Sequence, residues 1–161
     1  AQYEYDFVVI GGGGAGLVSS KLAHGLGKKV LLVEKNKLGG ECTWTGCVPS
    51  KAIIKSGYAA FIAKHLHQFG LSSIPEAIAL DTSKVMHNVR SVVQQIYATH
   101  TPEVIRSIGI DVQFGNVQFL DNHHISLDGK TISFDKAILT TGTHAFIPPI
   151  EGLDQMVELV F

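Results

Sequence analysis

At 161 residues, 45% of them apolar, and with a mean hydropathy of +0.22, the chain can bury a sizeable core and is too apolar for a disordered segment. A formal net charge of −1 without a basic cluster gives no reason to expect a nucleic acid or an anionic membrane surface as partner, and no apolar run approaches the ~20 residues that span a bilayer. Two cysteines are too few for a disulfide scaffold, and the start lacks a basic n-region and cleavage site, so the expected setting is reducing and cytoplasmic.

Tyr5 to Ile10 (YDFVVI) form a β-branched and aromatic run that predicts a buried strand. Gly11 to Gly16 follow, then a helix from Leu17 that Gly25 and Gly27 stop, then a second apolar strand from Lys29 to Glu34. Strand, glycine turn, helix and strand fit a βαβ unit. Pro49 suits the first turn of a second helix, continuing through Leu66, and Gly70 to Leu80 read as a loop. Asp81 or Thr82 could cap a long third helix that Pro102 should kink or divide. From Ile110 the rhythm becomes alternating: Val112–Phe114, Val117–Phe119, His124–Leu127 and Thr131–Phe134 predict an antiparallel meander, before Lys136–Leu139 returns as another buried strand. The apolar ending, Gln155 to Phe161, reads as part of a longer chain, because termini usually fray into polar residues. The expected fold class is α/β: a Rossmann-like domain with parallel sheet, helices and a small meander in three layers.

The pattern Gly11-x-Gly13-x-x-Gly16 stands where strand meets helix. Its first glycine permits the tight turn, its second lets backbone approach a pyrophosphate, and its third allows close helix–strand packing. Gly14 and Ala15 open the helix, whose free N–H groups and dipole favour phosphate. Glu34 ends the second strand, where a carboxylate can accept from ribose hydroxyls. No Lys-Ser/Thr pair follows the glycines, so a mononucleotide P-loop is excluded, but the motif alone does not separate FAD from NAD.

Cys42 and Cys47 lie in GGECTWTGCVPSK, Gly39 to Lys51. A structural zinc site wants four ligands, a second cysteine pair is absent, and His65 and His67 would point to different faces of a helix. A plain structural disulfide across so short a loop would add little. Redox use fits better. Residues i and i+5 of one regular helix have Cα atoms about 8.7 Å apart, beyond disulfide range, so the chain must be irregular near Thr45–Gly46 if the pair is to close. Cys47 would then sit beside a helix start, which favours a thiolate, with Cys42 farther out for exchange.

This segment resembles the active-site stretch of class I pyridine nucleotide–disulfide oxidoreductases, which include dihydrolipoamide dehydrogenase, glutathione reductase and mercuric reductase. Thr141-Gly142-Thr143, followed by Ile147 to Leu153, is similar to a second segment of that family. The resemblance implies a FAD-binding domain over residues 1–150, residues 151–161 beginning the connection to an NAD(P)-binding domain, and a homodimer when full length. It implies that electrons pass from NAD(P)H through FAD to the Cys42–Cys47 disulfide, then to a disulfide of dihydrolipoamide type or to mercuric ion. Cys47 is implied as the thiolate against the flavin, Cys42 as the interchange thiol, and Lys51 as the cation near flavin N5. Cofactor contacts are implied at Gly11, Gly13, Gly14, Ala15, Gly16, Glu34, Lys35, Gly40, Cys42, Lys51, Gly115, Val117, Thr141, Gly142 and Thr143. The alternative is a non-catalytic dinucleotide-binding module with incidental cysteines.

Two residues depart from the family pattern, Glu41 in place of Thr and Trp44 in place of Asn. A carboxylate at 41 would repel a pyrophosphate, so it is expected to point away; Trp44 is expected either to lid the loop or to touch substrate. The eight histidines match no family motif position and default to surface or capping roles.

Overall fold

The computed structural model describes residues 3–72, 80–144, 146 and 148–153. Its six strands run β3-β2-β1-β6-β5-β4 across the sheet. β1 (Tyr5–Ile10) pairs in parallel with β2 (Val30–Glu34) on one side and with β6 (Lys130–Leu139) on the other. Successive residues of β1 and β2 face opposite ways, and both faces are covered. Val9, Leu32 and Val112 pack with Leu17 and Ala23 of α1 (Gly14–Gly25) and with Ile105 of α5 (Pro102–Ser107). Val8, Leu31 and Val33 pack instead against Ile125, Leu127, Ile132 and Phe134 of the meander. Helices, parallel strands and meander thus make three layers, an α/β Rossmann-like arrangement as the sequence leads one to expect.

The meander holds β4 (Val117–Phe119), β5 (His124–Leu127) and the first part of β6, paired antiparallel. β3 (Asp111–Phe114), expected to belong with it, is instead a parallel edge strand beside β2. Alternation reads alike in both settings. What decides is tertiary: buried Val112 joins the helix-side core, Arg106 donates from its guanidinium to the Val112 carbonyl (2.8 Å), and Tyr5 Oη donates to Asp111 Oδ2 (2.9 Å). β6 is one strand of ten residues spanning two expected ones, and Lys136, Ala137 and Leu139 are exposed rather than buried. Only Ile138 of that half packs against the helix-side core; the residues on either side of it are left exposed.

Helix boundaries follow local chemistry. Gly27 takes φ +74° just past α1. Asp81 caps α4 (Thr82–Tyr97) by accepting from the Lys84 N–H (3.1 Å). The long helix is divided, as Pro102 leads one to expect: α4 ends at Tyr97, and Pro102 opens α5 with Thr101 as its cap. α3 (Cys47–Lys64) ends before His65 and His67, which fall at and within a short 3-10 turn, Leu66–Phe69. No helix among the described residues is long and apolar enough to cross a membrane.

Candidate functional site

The C-terminal ends of β1, β2 and β6 open onto a cleft of about 950 Å³, at the upper end of the size of ligand pockets. Its floor is the glycine turn. Gly11 adopts φ +106° against the Thr140 carbonyl, whose side-chain hydroxyl donates to Ile10 O (3.0 Å) and Gly11 O (2.8 Å). Gly16 packs so closely on the Gly11 carbonyl that no Cβ fits there, which matches the role of the third glycine; it does not line the cleft. Gly13 is the N-cap of α1, with no side-chain cap and no acidic residue in the first turn. The first N–H groups of α1 therefore stay available to an anion.

Glu34 lines the cleft and anchors the turn: Oε2 accepts from the Gly12 N–H (2.6 Å) and Oε1 from the Asn36 N–H (2.9 Å). Lone pairs remain on both oxygens for a sugar hydroxyl. The structure brings Gly11, Gly13, Gly14, Ala15, Glu34, Lys35, Gly40, Gly115, Val117, Thr141, Gly142 and Thr143 to this one cleft. The Gly115 N–H donates to the Glu34 carbonyl (3.0 Å), seating the β3–β4 turn at its rim.

The cysteine segment forms the adjoining wall. α2 (Gly40–Trp44) is a five-residue helix, and Thr45 and Gly46 break it before α3 starts at Cys47. The Thr45 N–H (2.9 Å) and the Gly46 N–H (2.6 Å) both donate to the Glu41 carbonyl, folding the chain back between the cysteines. The break falls where closure of the pair requires it. Cys42 and Cys47 are free, exposed thiols, near enough for Cys47 to bear on the ionisation of Cys42. The Cys42 thiol is pushed up, first by its interaction with the Cys47 thiol, then by burial and by the charge on Cys47; the Cys47 backbone N–H and the Lys51 charge act the other way. Cys42, Cys47 and Lys51 do not line the cleft itself; Gly40, Glu41, Trp44 and Thr45 of the same segment do. No cluster of three or more metal-ligating side chains occurs among the described residues.

Glu41, expected to turn its carboxylate away, is one of the residues that line the cleft. It is the second residue of α2, so the helix start sets its place. Trp44 packs over the loop and also lines the cleft. Its Nε1 donates to the Leu38 carbonyl (2.8 Å), its ring lies 4.8 Å from that of Tyr97, and the Lys37 ammonium stands 3.0 Å above it. Sequence reasoning missed His100. It is buried in the turn between α4 and α5, with Nε2 3.5 Å from Thr43 Oγ1. A signal was present in the cap residues Thr101 and Pro102, which fix a tight turn directly after it.

The family model for pyridine nucleotide-disulphide oxidoreductases matches residues 5–161. The chain belongs to that family. It is 32% identical to a dihydrolipoyl dehydrogenase of Acholeplasma laidlawii over 96% of this chain and 46% of that protein. It is 35% identical to a dihydrolipoyl dehydrogenase of Bacillus subtilis over 92% of this chain and 31% of that one. Similarity to a mercuric reductase of Bacillus cereus is 29%, over 96% of this chain and 24% of that protein. The chain thus spans about half or less of the relatives it matches.

Proposed function

We propose that this chain is the FAD-binding, dithiol-bearing part of a flavin-dependent disulfide oxidoreductase. The observation that carries this reading is that one segment serves both features. Gly40 packs on the glycine turn while Cys42, two residues on, touches Cys47.

The residues fit FAD. The uncapped start of α1 and the bare backbone at Gly13 and Gly14 suit a pyrophosphate, and Glu34 suits a ribose. Gly115 to Val117 would meet the adenosine end, and Thr141 to Thr143 the other side of the cofactor. FAD would supply two-electron chemistry there. Cys47, at the start of α3, is the thiol that faces the cofactor as a thiolate; Cys42, in the short helix before it, exchanges with substrate. Lys51, one helical turn further along α3, supplies a positive charge beside the pair. Disulfide closure converts two thiols to one S–S bond with release of two protons and two electrons, and reduction reverses it.

We assign residues 1–150 to the FAD domain and 151–161 to the connection leading out of it. The nicotinamide nucleotide site, a homodimer contact, and selection between a dithiol substrate and mercuric ion are assigned to the remainder of the full-length protein. Titration of the 161-residue chain with FAD, followed by flavin fluorescence, tests cofactor binding. Saturable binding that Gly13→Val and Glu34→Ala each weaken at least about tenfold supports the reading. Binding equally tolerant of both changes would overturn it.

A further inference from the structure

Thr43 is the one buried residue of α2, and it follows Cys42 directly. Its hydroxyl meets a histidine that is itself buried, among only three buried polar or charged residues described, with Ser20 the third. The hydrogen-bond directions can be assigned from the network. Thr99 Oγ1 lies 2.7 Å from the Ile96 carbonyl, so its proton is committed there. Thr99 Oγ1, 3.2 Å from His100 Nδ1, must then accept from it. That places the proton of neutral His100 on Nδ1 and leaves Nε2 to accept from Thr43 Oγ1 across 3.5 Å. The chain runs from Thr43 through His100 and Thr99 to the α4 backbone.

The packing agrees. A Cβ added at Gly39 would stand 2.8 Å from Thr43 Oγ1 and 2.9 Å from His100 Nε2, so the helix entry is pressed onto this pair. The Tyr97 ring meets that of His100 edge-on at 5.6 Å and that of Trp44 at 4.8 Å. The end of α4 therefore grips α2 at two adjacent residues, Thr43 by polarity and Trp44 by ring contact. Cys42 immediately precedes both.

We propose that His100 is a positioning residue for the redox pair: through Thr43 it fixes the short helix that carries Cys42 and so holds Cys42 against Cys47. His100 touches neither sulfur. Its effect is on the effective concentration of one thiol at the other, which sets how readily the disulfide closes. The inference rests on the reading of Cys42 and Cys47 as a redox couple.

The test is the dithiol–disulfide equilibrium of the 161-residue chain in glutathione buffers, read by thiol alkylation and mass. Glutathione disulfide takes the two electrons and two protons and becomes two glutathione thiols. Thr43→Val keeps the side-chain volume and removes the hydroxyl, and is expected to lower the closure constant about three- to tenfold, the worth of one net hydrogen bond. Thr43→Ser keeps the hydroxyl and should stay within about twofold of wild type. His100→Phe should match Thr43→Val, and the double variant should be no worse than either alone. Should His100→Phe fail to fold, the two Thr43 variants decide by themselves. A purely packing role would move Thr43→Ser and spare Thr43→Val, and that pattern, or no change in either, overturns the inference. If wild type never closes the disulfide at any glutathione ratio, the redox reading itself falls.

Discussion

Gly40 and Gly13 meet backbone to backbone: a Cβ placed on Gly40 would stand 2.9 Å from the Gly13 Cα. The cysteine segment is thereby seated on the turn that opens α1. Gly40 also holds φ +57°, a conformation that an L side chain adopts only with strain.

Gly40→Ala therefore acts twice. It should destabilise the fold by about 1–2 kcal/mol through the left-handed backbone alone. It should also weaken FAD binding, because the added methyl pushes the glycine turn out of place. Urea unfolding and flavin-fluorescence titration separate the two effects, and a variant with unchanged affinity would show that the two segments are not coupled.

Trp44 is the chain's single tryptophan, so its own fluorescence reports the lid. Trp44→Phe keeps ring packing against Tyr97 but loses the donor to Leu38, and should cost about 1 kcal/mol. Trp44→Ala loses the packing as well and should cost about 2–4 kcal/mol. In wild type, FAD binding should quench the tryptophan emission, since Trp44 lines the cleft.

Much of this was legible in the residues. The glycine turn, Glu34 and the break at Thr45–Gly46 followed from spacing, because backbone geometry leaves few other ways to build them. Three things were not. The place of β3 depended on the contacts that Arg106 makes with Val112 and Tyr5 with Asp111, rather than on its own alternation. The exposure of Lys136, Ala137 and Leu139 depended on which layers reach that strand. His100 looked like any surface histidine, since burial belongs to the way α4 and α5 close over α2.

His100 also sets a pH dependence. Burial first, then the charge of Lys21, hold it below the ordinary histidine range. The unfolded chain thus takes up the proton more readily than the folded one. The stability linked to His100 is fully present above about pH 6.5, the unfolded value, and is lost as pH falls through the folded pKa. His100→Gln, which cannot take the proton, should lose less stability than wild type between about pH 7.5 and 5. Urea midpoints across that range check it; parallel curves would contradict it.

Glu41 is among the residues lining a cleft suited to phosphates. Glu41→Gln removes a like charge while keeping size and should tighten FAD binding several-fold at low salt, with the gain shrinking as salt screens the interaction. Titrations at two ionic strengths measure it. Weaker binding by Glu41→Gln would mean that the carboxylate contacts a hydroxyl rather than a phosphate.

The central claim, that Cys47 ionises against a bound flavin while Cys42 serves exchange, is tested most directly by anaerobic two-electron reduction of the FAD-loaded full-length protein with dithionite, followed by absorbance. The account predicts a long-wavelength thiolate–flavin band on two-electron reduction of the wild type that Cys47→Ser abolishes, whereas Cys42→Ser, with no disulfide to take the electrons, shows the band before reduction and loses it as the flavin is reduced. A spectrum unchanged by loss of Cys47 would contradict it.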